Sequence, residues 1–473
     1  MKKKCVCLLS IALVACALVS CSRQGSSPAH QPSPPAEQPL ASPTSSITDT
    51  VTSLAKGFVD MLVKGDYATA EQSFDQTMKA AMPAEKLQHT WESIIAQVGP
   101  FKRQVGTRTE KATQQGQQYD VVFVTTEFEK AMLDIRVVFN STQQIAGLFF
   151  APAQSGTPTP SAASTVPLSV REKEVVVGSG EWALPGTLTM PTGSGPFPAV
   201  VLVHGSGPND RDETIGPNKP FRDLAWGLAS RGVAVLRYDK RTKVYAAKMA
   251  PLAGSLTVKE EVIDDALAAV SLLRQTDGIR PDEVFVLGHS LGGMLVPRIG
   301  QQDPNIAGFI VMAGPTRPME DSILEQIIYI ASLSGTLTED QKAQMEDLKQ
   351  QVARVKDPNL SNAVPPSELP LGVSAAYWLD LRGYRPAEVA KSLPQPMLIL
   401  QGERDYQVTT ADFDGWKSVL SDRAGVHFKL YPKLNHLFME GEGKSRPEEY
   451  NVAGHVAEYV IDDIASWVKA AVQ

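Results

Sequence analysis

The segment VFVLGHSLGGMLV, residues 284–296, decides how the chain is read. It opens as a continuous apolar run that suits a strand buried on both faces. The chain then turns through Gly288, His289, Ser290, Leu291 and Gly292 into a segment patterned as a helix. Gly288 and Gly292 leave room for a sharp turn that a side chain at either position would obstruct. Such a turn lifts the Ser290 hydroxyl above a sheet and sets it at a helix N-terminus, where the Leu291 N–H faces a developing oxyanion. A bare G-x-S-x-G pattern arises by chance. The strand before it and the helix after it make Ser290 the candidate nucleophile. A serine hydroxyl is a poor nucleophile until a base removes its proton, so the rest of the chain must supply one.

Outward from this segment, apolar runs alternate with helical patterns. KEVVVGSGEWALPGTLTMP (173–191) reads as a β-hairpin opening a sheet. PAVVLVHG then leads to FRDLAWGLASRG, and VAVLRYDKR to VKEEVIDDALAAVSLLRQ. IAGFIVMAG leads to a long insertion, PMLILQGERD to FDGWKSVLSD, and VHFKLYP to the terminal helix HVAEYVIDDIASWVKAAV. The expected fold class is α/β, a doubly wound and mostly parallel sheet over residues 168–473, with active groups at the carboxyl ends of its strands.

That expectation sorts the seven histidines. His436, in YPKLNHLF, follows the last strand and precedes the final helix, where a base for Ser290 belongs. His289 adjoins Ser290 on a turn that points it elsewhere, His204 closes VVLVHG, His427 starts a strand and His455 lies on the last helix. His30 and His89 fall outside the sheet region. The acid that holds the imidazole in its tautomer is Asp405, in the exit loop of MLILQGERDYQV, with Glu403 as the second candidate. The chain order Ser290, Asp405, His436 is that of α/β-hydrolases.

A second oxyanion donor is expected in HGSGPNDRDE (204–213), where Gly205 and Gly207 let the backbone approach a substrate and Ser206 N–H is the candidate. His204 braces this loop rather than reacting. HGSGPNDRD together with RYDKR (237–241) resembles bacterial α/β-hydrolase esterases related to dienelactone hydrolases and to serine-aminopeptidase-like hydrolases. The resemblance covers about residues 171–473 and implies a carboxylic ester hydrolase that needs no metal or organic cofactor. RYDKR continues as TKVYAAKMA, where those relatives often carry a glycine- and serine-rich run, which leaves the role of this loop open. Asp210, Arg211, Asp212 and Arg241 are candidates to order a pocket rim by ion pairing. Residues 315–392, patterned as two or three helices, resemble the lid of α/β-hydrolases, and Tyr377, Trp378 and Leu381 are its candidate pocket residues.

The N-terminal region reads differently. Lys2, Lys3 and Lys4 precede an apolar run from Val6 to Val19, too short for a stable membrane span and suited to a secretory signal over residues 1–20. LVSC, ending at Cys21, resembles the lipobox of bacterial lipoproteins, which implies acylation at Cys21 and a place in the cell envelope; Ser22 after it favours the outer membrane. The four cysteines, Cys5, Cys7, Cys16 and Cys21, all lie there, so the acylation at Cys21 that the resemblance implies would leave the mature chain without a cysteine nucleophile, a CxxC redox site or a thiolate zinc site. Residues 21–46 and 151–167, rich in Pro, Ser, Thr and Ala, read as solvated tethers.

Between the tethers, residues 47–150 read as an α+β unit. Leu54, Phe58, Met61 and Leu62 share one helical face, Leu87, Trp91, Ile94 and Ile95 another, and three strand-like runs follow. The unit resembles small cystatin-like or nuclear-transport-factor-like cones; no catalytic cluster marks it, and binding a surface or wall ligand is the expectation. The net charge of −7 argues against a nucleic-acid partner. The residues together point to a serine esterase acting on a small-molecule ester. A peptidase, acyltransferase or thioesterase would use the same triad, and a non-catalytic binding protein on this scaffold is the rival from another class.

Overall fold

The computed structural model describes residues 47–114, 117–152, 166–333, 335 and 337–471. Cys21, the leader, the first tether, residues 153–165 of the second and the last two residues lie outside the described residues. The described residues form two compact units.

In the smaller unit, four antiparallel strands lie side by side in chain order: β1 (Phe101–Gln114), β2 (Gln117–Phe128), β3 (Met132–Phe139) and β4 (Ile145–Pro152). Helices Ile47–Lys64 and Ala84–Val98 share its core with β2 and β3. The first helix buries Val51, Ala55, Phe58, Val59 and Leu62, while Leu54, expected on that face, is exposed. Strand β1 was not among the three expected runs. FKRQVGTRTEKATQ carries no apolar alternation, and its side chains are largely exposed. It is held through its backbone ladder to β2, which a side-chain pattern does not announce.

The larger unit is built on eight strands: β5 (Val170–Val177), β6 (Leu184–Pro191), β7 (Phe197–Val203), β8 (Ala234–Tyr238), β9 (Ile279–His289), β10 (Phe309–Met312), β11 (Met397–Gly402) and β12 (Val426–Tyr431). Their order across the sheet is β12-β11-β10-β9-β7-β8-β6-β5. The pairings among β7 to β12 are parallel, and the hairpin β5–β6 joins antiparallel to β8. Alternation decides the two cores. Ala199, Val201 and Val203 face helices Asp264–Arg274 and Leu291–Gln302, whereas Val200 and Leu202 face helices Pro220–Ser230 and Glu458–Ala470. Each such fully buried Val or Leu contributes about 2 kcal/mol of transfer free energy, so both faces of the strand hold helices against the sheet.

Because β7, β9, β11 and β12 run parallel, the loops carrying Ser206, Ser290, Asp405 and His436 all leave the same edge of the sheet. Between β10 and β11 stand helices Met319–Leu333, Glu339–Lys356, Ala375–Leu381 and Pro386–Lys391. The base of this insertion is fixed by Arg317, whose guanidinium meets the fully buried Asp412 carboxylate at 2.7 Å. The terminal helix begins at Glu458, so His455 precedes it and pairs with Asp223 at 3.2 Å.

Candidate active site

Strand β9 ends at His289, and Ser290 takes φ 54° and ψ −119° before the helix Leu291–Gln302 begins. A non-glycine residue at positive φ is strained by about 1–3 kcal/mol and persists only where its surroundings impose it. Here the Ser290 N–H donates to the Met312 carbonyl at 2.9 Å, and two glycines let the backbones close around the turn. A Cβ on Gly288 would stand 2.3 Å from the carbonyl of Gly292, and one on Gly292 2.2 Å from the Val203 oxygen. Leu291 opens the helix, so its N–H belongs to the first-turn donors that have no acceptor within the helix.

On neighbouring loops, His436 and Asp405 meet. His436 Nδ1 lies 2.7 Å from Asp405 Oδ2, and both side chains are buried. The other carboxylate oxygen, Oδ1, accepts the N–H groups of Gln407 at 2.8 Å and Val408 at 3.0 Å, and Gln401 Nε2 donates to Oδ2 at 3.3 Å. The carboxylate is thus oriented before it touches the imidazole. Glu403, the second candidate, is exposed. The His436 loop is shaped by Asn435, whose Oδ1 accepts the N–H groups of Leu437 and Met439.

The loop after β7 brings Ser206 to the same place. Ser206, Ser290 and Leu291 line one small cavity, about 70 Å³ in volume, closed by Met294, Pro315, Met319, Ser322, Ile323, Gln326, Gln407 and Val408. Gly205 N–H is already given to Glu213 Oε1 at 2.7 Å, which leaves Ser206 as the better candidate donor. His204 Nε2–H donates to the Asp210 carbonyl at 3.0 Å. Burial lowers its pKa to about 4, so at neutral pH it is an uncharged brace.

Residues 196–444 match the family described as serine aminopeptidase, S33, which is more than half of the chain. The chain is also 41% identical over 412 residues to Esterase EstD of Thermotoga maritima, spanning 87% of this chain and 93% of that protein. This chain belongs to the α/β-hydrolase family. It is 28% identical over 195 residues to a monoacylglycerol lipase of Mycolicibacterium smegmatis, 39% of this chain and 61% of that one. Among solved structures, Est1E from Butyrivibrio proteoclasticus matches at 15% identity and a TM-score of 0.40, over 63% of this chain and 98% of that one. Residues 55–148 match the family described as protein of unknown function DUF3887.

The expected pocket residues Tyr377, Trp378 and Leu381 and the rim candidate Arg241 lie elsewhere, Leu381 in the core beside the sheet. Tyr377 is buried with its hydroxyl donating to Glu261 Oε2 at 2.7 Å, and Trp378 packs in the core of the helical insertion. Arg241 is bound to Asp265 and lies over the Trp182 ring. The cavity wall comes instead from Met319, Ser322, Ile323 and Gln326, one face of the helix Met319–Leu333. The same helix stacks Tyr329 on Tyr406, beside Asp405, with ring centroids 5.1 Å apart. Of the expected rim charges, Arg211 pairs with Glu174 and Asp239, and Asp212 with Lys219 and Arg237.

His289 is the residue whose part was missed. Its Nδ1 meets Glu213 Oε2 at 2.9 Å, off the line of the ring N–H, and its Nε2–H donates to the His436 carbonyl at 2.9 Å. The signal for it is only a histidine inside the elbow and an acid at the end of the β7 loop. Burial by itself would push the Glu213 carboxyl up and the His289 imidazole down. Burial is the largest single influence on each, but their mutual attraction together with the Gly205 N–H on Glu213 and the His436 carbonyl on His289 outweighs it, leaving Glu213 below and His289 above its ordinary range.

Linkage gives the sign of the consequence. The raised His289 stabilises the fold fully below its unfolded pKa of about 6.5 and loses that contribution as pH rises through its folded value. The depressed Glu213 contributes above about pH 4.3 and loses it as pH falls. Denaturant unfolding of wild type and of the Glu213→Gln/His289→Gln variant will therefore differ most between about pH 4.3 and 6.5 and converge on either side. A gap that is constant from pH 4 to 9 would mean the pair is not ionised.

Proposed function

We propose that this chain hydrolyses carboxylic esters of short acyl groups through an acyl-enzyme on Ser290. The observation that carries the reading is the buried 2.7 Å contact of His436 Nδ1 with Asp405 Oδ2, on loops that leave the same sheet edge as the strained Ser290 turn. In this reading Asp405 keeps the proton on Nδ1, so Nε2 accepts the Ser290 proton as Oγ attacks the ester carbonyl. The N–H groups of Leu291 and Ser206 hold the oxyanion. His436 passes the proton to the departing alkoxide, which leaves as the alcohol. It then takes a proton from the water that attacks the acyl carbon, and Ser290 leaves with that proton restored.

The names of the esterase and lipase relatives support ester chemistry. A peptidase reading draws on the family description and would need a free carboxylate to anchor an amine. The candidates are already engaged: Asp210 caps the N–H groups of Asp212 and Thr214, Asp212 binds Lys219, and Glu213 binds Gly205. Short acyl groups follow from the cavity, whose 70 Å³ is far below the roughly 300–1,000 Å³ of sites for drug-sized ligands.

The test is hydrolysis of nitrophenyl esters of graded chain length beside aminoacyl-nitroanilides, with Ser290→Ala as control. Turnover should peak at the shortest acyl chains and vanish in the variant. Anilide turnover above ester turnover would replace the esterase by the peptidase. We further propose export and lipid attachment at Cys21, supported by the basic start, the short apolar run and LVSC, with the outer membrane favoured by Ser22. Mass spectrometry of the N-terminal peptide from the native host should find an acylated cysteine; an unmodified Cys21 or an intact Met1 would overturn it.

A further inference from the structure

Resting on that esterase reading, we propose that Lys240, Glu261 and Tyr377 form a positioning relay that aims the Ser206 N–H at the oxyanion and ties that aim to the seating of the helical insertion. The key is one peptide group. The carbonyl of Gly205 and the N–H of Ser206 share a trans amide plane and point in opposite directions. Whatever grips the Gly205 oxygen from behind therefore directs the Ser206 N–H forward. Lys240 Nζ donates to that oxygen at 2.8 Å, and Asn209 Nδ2 adds a longer bond at 3.2 Å.

Lys240 comes from RYDKR, just past the end of β8, and is 2% exposed. Its ammonium is held by Glu261 Oε1 at 2.6 Å, and Glu261 is itself buried on the π-helical turn Lys259–Ile263. The other carboxylate oxygen accepts the Tyr377 hydroxyl at 2.7 Å, from helix Ala375–Leu381 of the insertion. Gly205 N–H is gripped from its own side by Glu213 at 2.7 Å, so both ends of the residue are fixed by buried charges. A Cβ at Gly205 would stand 3.1 Å from the Ser290 Cβ, which shows how close this residue lies to the serine.

A buried ion pair is a poor means of gaining stability, because desolvating both charges offsets most of their attraction. A charge aimed at the back of a working amide has a different use. It holds the donor in place before the reaction and polarises it toward an incoming oxyanion. This gives the RYDKR loop a role and explains why Tyr377 is buried away from the cavity it was expected to line.

The test uses Lys240→Met/Glu261→Gln, which removes the ammonium without leaving a buried carboxylate unpaired. Kinetics on a short nitrophenyl ester are measured with inhibition by a short-chain trifluoromethyl ketone, whose adduct on Ser290 carries the oxyanion. The expected result is a loss of about 10- to 100-fold in kcat, a near-constant KM and an equal loss of ketone affinity. A kcat loss with ketone affinity unchanged, or no loss in a folded variant, overturns the relay. Should the double variant not fold, Tyr377→Phe decides: kcat and ketone affinity falling by one common factor supports the relay, and neither changing overturns it. Failure of the reading beneath would look different, because wild type would then not cleave the ester, or Ser290→Ala would still cleave it.

Discussion

Ester turnover by Asp405→Asn is expected to fall by about 10⁴-fold, which leaves it about a hundredfold above Ser290→Ala, with little change in melting temperature. The carboxylate does two separable things. Oδ1 accepts two backbone N–H groups from Gln407 and Val408, and an asparagine oxygen can keep both. Oδ2 faces His436 Nδ1 at 2.7 Å, and there the variant presents an amide nitrogen. Two donors cannot share that contact, so the imidazole must move its proton to Nε2. A histidine protonated on Nε2 has no lone pair left for the serine proton. The Gln401 amide, which donates to Oδ2 at 3.3 Å, opposes the new amide as well. Serine and base fail as one unit, whereas losing the acid costs about a hundredfold less, because an imidazole in the wrong tautomer can still visit the right one. Single-turnover kinetics and thermal unfolding on the same preparation decide it. A variant within tenfold of wild type would place the acid elsewhere, and exposed Glu403 would have to be reconsidered.

How far this site was legible follows from where each residue hangs. Ser290 and Asp405 sit at the ends of strands buried on both faces, which continuous Val, Ile and Leu runs mark plainly. His436 instead follows the half-exposed edge strand β12 and is marked by its position between the last strand and the final helix. The cavity wall was not legible. Met319, Ser322, Ile323 and Gln326 form an ordinary helical stripe, and nothing in a stripe says whether it faces a core or a substrate. Tyr377 and Trp378 misled for the converse reason: aromatic residues suit a pocket and a core equally. The partners His289–Glu213 and Lys240–Gly205 are far apart in the chain and meet only because β7, β8 and β9 are neighbours in the sheet. In the smaller unit, helix phase was read one residue off, exposing Leu54 where Ala55 is buried, since a small residue carries a weak pattern signal.

Gly292→Ala is expected to cost about 3 kcal/mol or more of stability, although it adds a single methyl group in a helix that alanine would otherwise favour. The added Cβ would stand 2.2 Å from the Val203 oxygen, 2.8 Å from the His204 oxygen and 2.9 Å from the Val203 carbon. All three are backbone atoms of the end of β7 and its loop, so no side chain can rotate away to make room. Relief requires helix Leu291–Gln302 to move off β7, and β7 is paired on both sides, with β8 and β9. The same displacement would carry Ser290 and Leu291 away from Ser206, so any folded fraction should also be slow on esters. Gly254→Ala is the control, because a Cβ there meets nothing within 4 Å. Denaturant unfolding of the two variants beside wild type separates a steric cause from a general effect of removing glycine. Equal stability of Gly292→Ala and wild type would mean that the elbow does not press on β7, and the oxyanion geometry argued from that contact would have to be rebuilt.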